Sequence, residues 1–320
     1  MLDVFITVDT EVWCGGWSDL DQRFPEMFGK YIYGHTKHGS YGLPGKLDIL
    51  EEHGLQASFF VETLFSARFG KAPLDEIIGL ILEKKQEVQL HLHPEWIDEA
   101  NDPDFPALNK KVSELAELSE EHQCALLNWG VNALIHSGAD KPSAFRSGSY
   151  SANMSTLRAL SRAGITIDTS YNPGCSLGTS DISLGTQLRQ PSRIGDVFVY
   201  PVTVFDDGVA TTPRHLQLSA CSFSEFKHVL MQAVEKQWDS VVIVSHNFEL
   251  MNPVKTSRDY IMVRRFRQLC HFLQKNSDLF NVRGFQGLKP DHTNHQPDQL
   301  RSSALRTGGR YVEQALRKLA

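Results

Sequence analysis

The sequence predicts an α/β protein in which parallel strands alternate with helices to form a barrel. Apolar segments of strand length alternate along the chain with segments of helical periodicity, an order typical of a parallel sheet or barrel. Nearly every predicted strand is followed at once by a polar residue suited to catalysis or metal binding, which is where barrel enzymes carry their working residues. The length of 320 residues fits one large barrel domain with insertions.

Composition excludes several classes of protein. The formal net charge is −6, so the chain lacks the basic footprint of proteins that bind nucleic acid or an anionic membrane. The 5 cysteines are odd in number and contain no C-x-x-C pair, which predicts free thiols rather than disulfides or a structural zinc site. The N-terminus has no basic region before its apolar residues, and no apolar run approaches the length of a membrane span. We therefore expect a cytoplasmic protein, unless a leader has been removed.

The first predicted strand covers residues 2–8, an apolar run rich in β-formers that is typical of a strand buried on both faces. It ends at Asp9, and Glu11 follows two residues later, so these two carboxylates point the same way on extended chain. Residues 12–41 contain several glycines and aromatic residues, including Trp13, without a regular period. We expect them to form a long loop that makes one wall of a cleft.

The central motif is QEVQLHLHPEW, residues 86–96, reached through a helix at 43–53, a strand at 57–62 and a helix at 74–85. Apolar and polar residues alternate up to the proline, so the motif predicts a strand that exits into a loop. His91 and His93 are two residues apart and therefore project from the same face of that strand. Two imidazoles at a strand end suit a divalent metal, which needs a third ligand, often a carboxylate, and an open position.

The remaining elements continue the alternation. A long helix is predicted at 106–136, a strand at 143–147 that ends near Arg146, a helix at 153–163 and a strand at 165–167 that ends at Asp168. Residues 196–205 read as a strand-rich insertion at the edge of the barrel, and a helix at 222–237 leads to the apolar strand 240–245, which ends at His246. A helix at 258–273 and a short strand at 280–283 complete a barrel domain over residues 1–285. Residues 286–320 predict a mobile linker followed by an amphipathic helix at 311–319.

Each polar strand end has an ordinary explanation on its own, as a helix cap, a surface ion pair or a hydrogen-bonded core residue. Together they match metal-assisted hydrolysis of an amide. Glu11, His91 and His93 would hold the cation, and Asp9 would take the proton of the attacking water. His246 would protonate the leaving amine, because imidazole titrates near neutrality, and Arg146 would keep Asp9 ionised.

The motif order resembles that of the NodB-type polysaccharide deacetylases, a family of metal-dependent carbohydrate esterases. The resemblance rests on D-x-E after the first strand, then HGLQASFFVE, EVQLHLH, FRSGSY, DTSY and IVSHNFE, and it spans roughly residues 1–285. It implies a distorted (β/α)7 barrel of the polysaccharide deacetylase type. It also implies one divalent metal ion, with zinc preferred, and Tyr150, Asp168 and Trp13 in substrate binding, the backbone N–H near Tyr150 being suited to an oxyanion.

The sequence departs from the family pattern at two motifs. The usual T-F-D-D is replaced by ITVDTE, so Thr10 stands at the position of the metal-binding aspartate and Glu11 becomes the carboxylate ligand. The usual spacing of four between the metal histidines would place Glu95 in the second position. We favour His93 and keep Glu95 as the alternative ligand.

The resemblance implies hydrolysis of an N-acetyl group on an amino sugar or glycan precursor, as in cytoplasmic branches of surface-polysaccharide or lipopolysaccharide biosynthesis. One alternative keeps the metal and changes the substrate to a small cyclic amide or ureide. Another is a barrel without catalysis that binds carbohydrate. The sequence predicts a carbohydrate or amino-sugar partner, no nucleic acid and no membrane span, and leaves the oligomeric state open.

Overall fold

The computed structural model describes residues 1–175, 180–182, 187–290 and 296–319, and the predicted linker from 286 lies partly outside them. The described chain is mixed α/β with parallel strands, which confirms the predicted fold class. It divides into two compact units. The first comprises Met1–Ala57, Val202–Arg283 and the C-terminal segment, and the second comprises Ser58–Pro201 with a short stretch after Arg283.

The first unit is built on the apolar strand predicted at the N-terminus. Leu2–Thr10 pairs in parallel with Ser240–His246 and with Phe280–Val282, and Asp9 lies opposite His246 in the first pairing. The apolar side chains of the central strand are fully buried because other elements cover both of its faces. The helices of this unit are Leu20–Phe28, the π-helix Gly29–Tyr33, Leu43–Glu52, Phe223–Glu235, Tyr260–Lys275 and Ala304–Leu319.

Two small sheets complete the first unit. Val204–Asp206 pairs antiparallel with Arg214–His215 and parallel with Leu300–Arg301, and His35–Thr36 forms a hairpin with Gly39–Ser40. The strand-rich segment predicted at 196–205 is therefore divided. Val197–Val199 belongs to the second unit, whereas Val204 and Phe205 belong to this separate sheet of the first unit.

The second unit contains a parallel sheet that carries the histidine motif. Its strands, in order of pairing, are Ser58–Glu62, Glu87–Leu92, Ala144–Ser147, Ile167–Asp168 and Val197–Val199, with Ser192–Ile194 antiparallel at the edge. Ala152–Asn153 pairs separately with Ser180–Asp181. The helices are Ser66–Phe69, Ala72–Glu83, Glu120–His136 and Met154–Ala163, with short 3-10 turns at Pro94–Trp96, Leu115–Glu117 and Gly148–Tyr150.

Two local predictions were wrong. Residues 12–41 are not a loop throughout, because Leu20, Phe24 and Phe28 recur every four residues and form the buried face of a helix despite Pro25. The helix predicted at 106–136 begins only at Glu120, where the Ser119 hydroxyl accepts a hydrogen bond from the backbone N–H of His122. Apolar residues before that cap, such as Leu115, are buried outside any α-helix. Their spacing nevertheless matches the period of a helix, which is why the predicted helix was too long.

Candidate functional site

The strand ends of the second unit place polar side chains side by side. Glu62 pairs in register with His91, and His91 pairs with Arg146. On the next strand, Asp168 pairs with Phe145, one residue before Arg146. All four of these polar side chains are buried. The parallel register therefore gathers the predicted residues of this unit at one edge of its sheet.

The histidine motif is extended through His93, as predicted. The strand ends at Leu92, but the backbone of His93 stays extended (φ −114°, ψ 102°), so its ring follows that of His91. The ring centroids are 4.8 Å apart and the planes lie at 88°. Both side chains are almost completely buried.

The Nδ1 atoms of the two imidazoles both lie beside oxygen acceptors. Nδ1 of His91 lies 2.7 Å from the backbone oxygen of Arg146, an acceptor, so Nδ1 carries the proton and donates it. Nδ1 of His93 lies 3.2 Å from Oε2 of Glu95, and this carboxylate oxygen accepts a hydrogen bond from it. An acceptor at Nδ1 fixes the tautomer and the orientation of the ring, which is how metal-binding histidines are commonly held. The donor set therefore fits a metal ion.

Close packing also holds His93 in place. Gly148 lies against its ring, and a Cβ at Gly148 would stand 2.5 Å from Nδ1 of His93. The next two residues, Ser149 and Tyr150, have φ values of 53° and 58°, in the left-handed region that non-glycine residues rarely adopt. The R-S-G-S-Y motif is thus a strained turn whose glycine makes room for the imidazole.

Arg146 and Asp168 are both fully buried. Nε of Arg146 donates to Oγ1 of Thr169 at 2.8 Å, and its guanidinium lies 4.6 Å from the centroid of the Phe60 ring. Burial raises the pKa of Asp168 to about 6, although Ser170 opposes this shift by donating to both carboxylate oxygens. These contacts hold the loop after Asp168, and its predicted role in substrate binding stays a prediction.

Glu62 is a buried acid that the sequence analysis did not single out. Its carboxylate accepts hydrogen bonds from the backbone N–H groups of Leu64, Phe65 and His93. Burial raises the pKa of Glu62 to about 7, against the lowering effects of the His93 charge and these N–H donors. Glu62 therefore fixes the backbone at both the turn after its own strand and the entry to His93.

In the first unit, Asp9, Glu11 and His246 converge. One ligand atom from each of these side chains lies within 4.8 Å of the others, and Nε2 of His246 is 3.9 Å from Oε1 of Glu11. Asp9 and Glu11 are buried, whereas the side chain of His246 is 24% exposed to solvent. A cluster of two carboxylates and one imidazole can bind a cation or exchange protons.

Two neighbours fix the position of Glu11. Nε1 of Trp13 donates to Oε2 of Glu11 at 2.5 Å. The Asn247 side chain accepts from the backbone N–H of Glu11 and donates to its backbone oxygen. Trp13 thus contacts the carboxylate itself, and Oε1 of Glu11 is the oxygen that faces His246.

His246 is oriented by a buried acid that follows it by three residues. Nδ1 of His246 lies 3.2 Å from Oε1 of Glu249, which also accepts hydrogen bonds from Gln217 at 2.6 Å and Ser219 at 2.8 Å. Burial alone would lower the pKa of His246, but the hydrogen bond to Glu249 and the charge of Glu11 raise it to about 9. Burial conversely would raise the pKa of Glu249, and its bond to His246 lowers it to about 2. The two groups form a charged pair that presents Nε2–H away from Glu249.

A buried lysine adds positive charge to the same unit. Lys46 is fully buried and its ammonium lies 4.8 Å from the centroid of the Phe266 ring. Burial lowers the pKa of Lys46 to about 8, although the Glu249 charge acts in the opposite direction.

Comparison with known proteins shows the fold. No protein-family model matches the sequence, and no curated protein matches it. Among solved structures, a candidate polysaccharide deacetylase from Mycobacterium smegmatis is similar, with a TM-score of 0.52 and 17% identity over 93% of this chain and 94% of that one. The fold is that of the polysaccharide deacetylase barrel.

Two further structures bear on how far this similarity reaches. A 4-alpha-glucanotransferase from Thermococcus litoralis has a TM-score of 0.53 and 10% identity, over 94% of this chain and 41% of that one. A family 4 carbohydrate esterase from Streptomyces lividans has a TM-score of 0.44 and 12% identity, over 90% of this chain and 97% of that one. Because the glucanotransferase and the M. smegmatis protein have comparable TM-scores to this chain, the chemistry has to be argued from the site residues.

The structure adds residues that sequence reasoning missed. Glu249 stands in the quoted motif IVSHNFE, three residues after His246, and the spacing places it on the turn that follows the strand. Glu95 was considered as a ligand rather than as the hydrogen-bond acceptor of His93. Gln217 and Ser219 come from a distant segment, and no local pattern in the sequence pointed to them.

Among the described residues, no helix has both the length and the apolar character needed to cross a bilayer.

Proposed function

We propose that this chain is a metal-dependent hydrolase that removes the N-acetyl group of an amino sugar. The observation that carries the proposal is the histidine pair, in which an oxygen acceptor beside each Nδ1 atom fixes the orientation of a buried ring. Buried imidazoles with fixed tautomers at the carboxyl end of a strand are typical of catalytic metal centres.

We propose Glu11, His91 and His93 as the ligands, with zinc as the preferred metal because two imidazoles and one carboxylate form a common catalytic zinc set. When bound, the ion would polarise the amide carbonyl and make water more acidic. The competing set is Asp9, Glu11 and His246, whose ligand atoms also lie near one another. We favour the first set because it leaves Asp9 and His246 to move protons.

Asp9 and His246 are suited to act as base and acid. They lie opposite each other on paired strands, with the backbone N–H of Asn247 bound to the backbone oxygen of Asp9. Asp9 would accept the proton of the attacking water, and His246, oriented by Glu249, would donate its Nε2 proton to the leaving amine. A backbone N–H near Tyr150 would stabilise the developing oxyanion, and the catalytic role of Arg146 stays a prediction.

The proposed substrate is an amino sugar in a precursor of a surface polysaccharide or lipopolysaccharide. Trp13 and Trp17 lie in edge contact, with ring centroids 6.3 Å apart, beside Glu11, and partly exposed aromatic rings of this kind suit the apolar faces of sugars. A cytoplasmic location stays a prediction.

The direct test is acetate release from N-acetylated sugars before and after metal removal. We expect N-acetylglucosamine oligosaccharides or sugar phosphates to be deacetylated, chelation to abolish the activity and zinc to restore it. Asp9→Asn should lower kcat by about 10² to 10⁴ because general base catalysis is worth that much. Asp140→Asn, at an exposed position, is the matched control.

Two results would refute the proposal. Acetate release that is unaffected by both chelation and Asp9→Asn would exclude the mechanism. Hydrolysis of cyclic amides or ureides in the same assay, without release of acetate from any sugar, would favour the alternative substrate class.

A further inference from the structure

A pocket next to His246 is not used by the proposed chemistry. It belongs entirely to the first unit and has a volume of about 260 Å³. Its lining includes His246, Phe248 and Glu249 together with the cationic side chains of Lys255 and Arg317. A group in this pocket would therefore lie beside the proposed acid.

The ammonium of Lys255 is positioned but has no carboxylate partner among the described residues. It lies 4.4 Å from the centroid of the Tyr31 ring and 4.7 Å from that of Phe248. Its one hydrogen bond among the described residues is to the backbone oxygen of Pro253, at 3.5 Å, the upper end of the hydrogen-bonding range. Two aromatic faces hold the cation by cation–π attraction and leave its N–H donors for a ligand.

Arg317 contributes a second cation from the C-terminal helix. Its Nε donates to Oδ2 of Asp259 at 2.6 Å, and Asp259 in turn caps the helix that begins at Tyr260. Within the described part of the chain, no partner is seen for the two terminal nitrogens of this guanidinium. A planar pair of N–H donors of this kind matches the oxygens of a phosphate or a carboxylate.

The acidic residue that lines the pocket and the acidic partner of Arg317 each belong to an ion pair. Glu249 is paired with His246, and Asp259 is paired with Arg317. Among the side chains that line the pocket, Glu249 is matched by His246 and Arg317 is matched by Asp259, so Lys255 adds one further positive charge. The balance favours an anion over a neutral sugar.

We infer that this pocket binds an anionic group of the substrate, a phosphate or a carboxylate, through Lys255 and the terminal nitrogens of Arg317. The inference rests on the proposed function only in taking the ligand to be a sugar. Anion binding by the pocket can be measured without any catalytic turnover. The pocket would then select charged amino sugars over neutral ones and place the charged substituent next to His246.

The test is calorimetric titration of the zinc-loaded protein with three ligands. N-acetylglucosamine is neutral, N-acetylglucosamine 1-phosphate carries a phosphate, and N-acetylmuramic acid carries a carboxylate. We expect at least one of the charged sugars to bind about tenfold more tightly than the neutral one, because charge-assisted hydrogen bonds are the stronger kind. Which charged sugar binds more tightly identifies the anion.

Variants assign that preference to the pocket. Lys255→Gln and Arg317→Gln should each reduce the preference to within about threefold, and Lys255→Arg should retain most of it. Lys275→Gln removes an exposed lysine at the end of another helix of the same unit and should change nothing. Circular dichroism of each variant checks that it is folded.

The inference is overturned if the wild-type protein binds neither charged sugar more tightly than the neutral one, or if no binding is measurable. It is also overturned if Lys255→Gln and Arg317→Gln keep the preference of the Lys275→Gln control. Selective binding without acetate release would instead keep the pocket and refute the proposed function.

Discussion

At the scale of single residues, the orientation and protonation of His93 and His246 are set by their immediate neighbours. His93 is held by the Glu95 carboxylate on one side and by the space at Gly148 on the other. His246 is held by Glu249. These neighbours do not have to touch a substrate, yet they decide which nitrogen carries the proton and where the ring points.

The variant Glu95→Gln tests whether Glu95 orients His93 or binds the metal itself. If it only accepts the Nδ1 proton of His93, Glu95→Gln should weaken zinc binding by about 10- to 100-fold, as is usual when the partner of a ligand is changed. The measurement is the Kd for zinc, obtained by competition with a chromophoric chelator. Complete loss of binding would mean that Glu95 is itself a ligand, and an unchanged Kd would mean that the contact has no effect on the metal.

Gly148→Ala should displace the His93 ring. The added Cβ would stand 2.5 Å from Nδ1 of His93, so we expect zinc affinity to fall at least about tenfold. Gly79→Ala is the matched control, because it lies in a helix of the same unit with no atom within 4 Å of the new Cβ. That change should leave zinc binding intact and stabilise the fold by about 0.5–1 kcal/mol. Equal zinc affinity in the two variants would contradict the proposed packing.

Glu249→Gln should lower the pKa of His246 in the metal-free protein. In the wild type the imidazole stays protonated up to its pKa of about 9 and loses its proton as the pH rises through that value. Without the Glu249 charge, the midpoint should move to lower pH, which NMR titration of the imidazole resonance can follow. Glu83→Gln makes the same chemical change at an exposed position and should leave the midpoint unchanged. An unchanged midpoint in Glu249→Gln would show that Glu249 does not govern His246.

At the scale of elements, the helix Ala304–Leu319 is fastened by a buried ion cluster. Arg310 is fully buried, and its guanidinium donates to Glu225 and to Asp207, each at 2.9 Å. Burial would raise the pKa of Asp207, but N–H donors from Ala210 and from Arg310 hold it well below its usual range. The helix also carries Arg317, so the cluster positions one wall of the pocket beside His246.

Breaking this cluster should be costly. Arg310→Gln would leave Asp207 and Glu225 without their buried cation, and we expect the free energy of unfolding to fall by about 3–5 kcal/mol. Urea denaturation measures the change. Arg264→Gln, whose side chain is 65% exposed and faces Glu313 at 3.7 Å, is the control and should cost less than about 1 kcal/mol. A loss as small as that of the control would contradict the described role of Arg310.

Some secondary-structure elements could be predicted from the sequence alone, and others could not. Strands such as Leu2–Thr10 and Ser240–His246 were predictable because they are continuous apolar runs that end in polar residues. The start of the helix Glu120–His136 was missed because apolar spacing before Ser119 outweighed the capping residue. The helix Leu20–Phe28 was missed because glycines and Pro25 obscured three aligned apolar side chains.

At the scale of the molecule, the positions that could be predicted from the sequence were those at the carboxyl ends of strands. Parallel pairing places Asp9 opposite His246 in the first unit and, separately, His91 opposite Arg146 in the second. The supporting residues could not be predicted in the same way. Gln217 meets Glu249 across 32 positions of sequence, and only the folded chain brings them together. The division of the chain at residue 285 stays a prediction.

The central claim of the proposed function is that Glu11, His91 and His93 hold one catalytic metal ion. The most direct measurement is metal content and zinc affinity by mass spectrometry and competition titration, for the wild type and for Glu11→Gln, His91→Ala, His93→Ala, Asp9→Asn and His246→Ala. We expect one zinc ion per chain, lost in the first three variants and retained in the last two. Zinc that persists in His91→Ala and His93→Ala but disappears in Asp9→Asn and His246→Ala would contradict the claim and assign the ion to Asp9, Glu11 and His246.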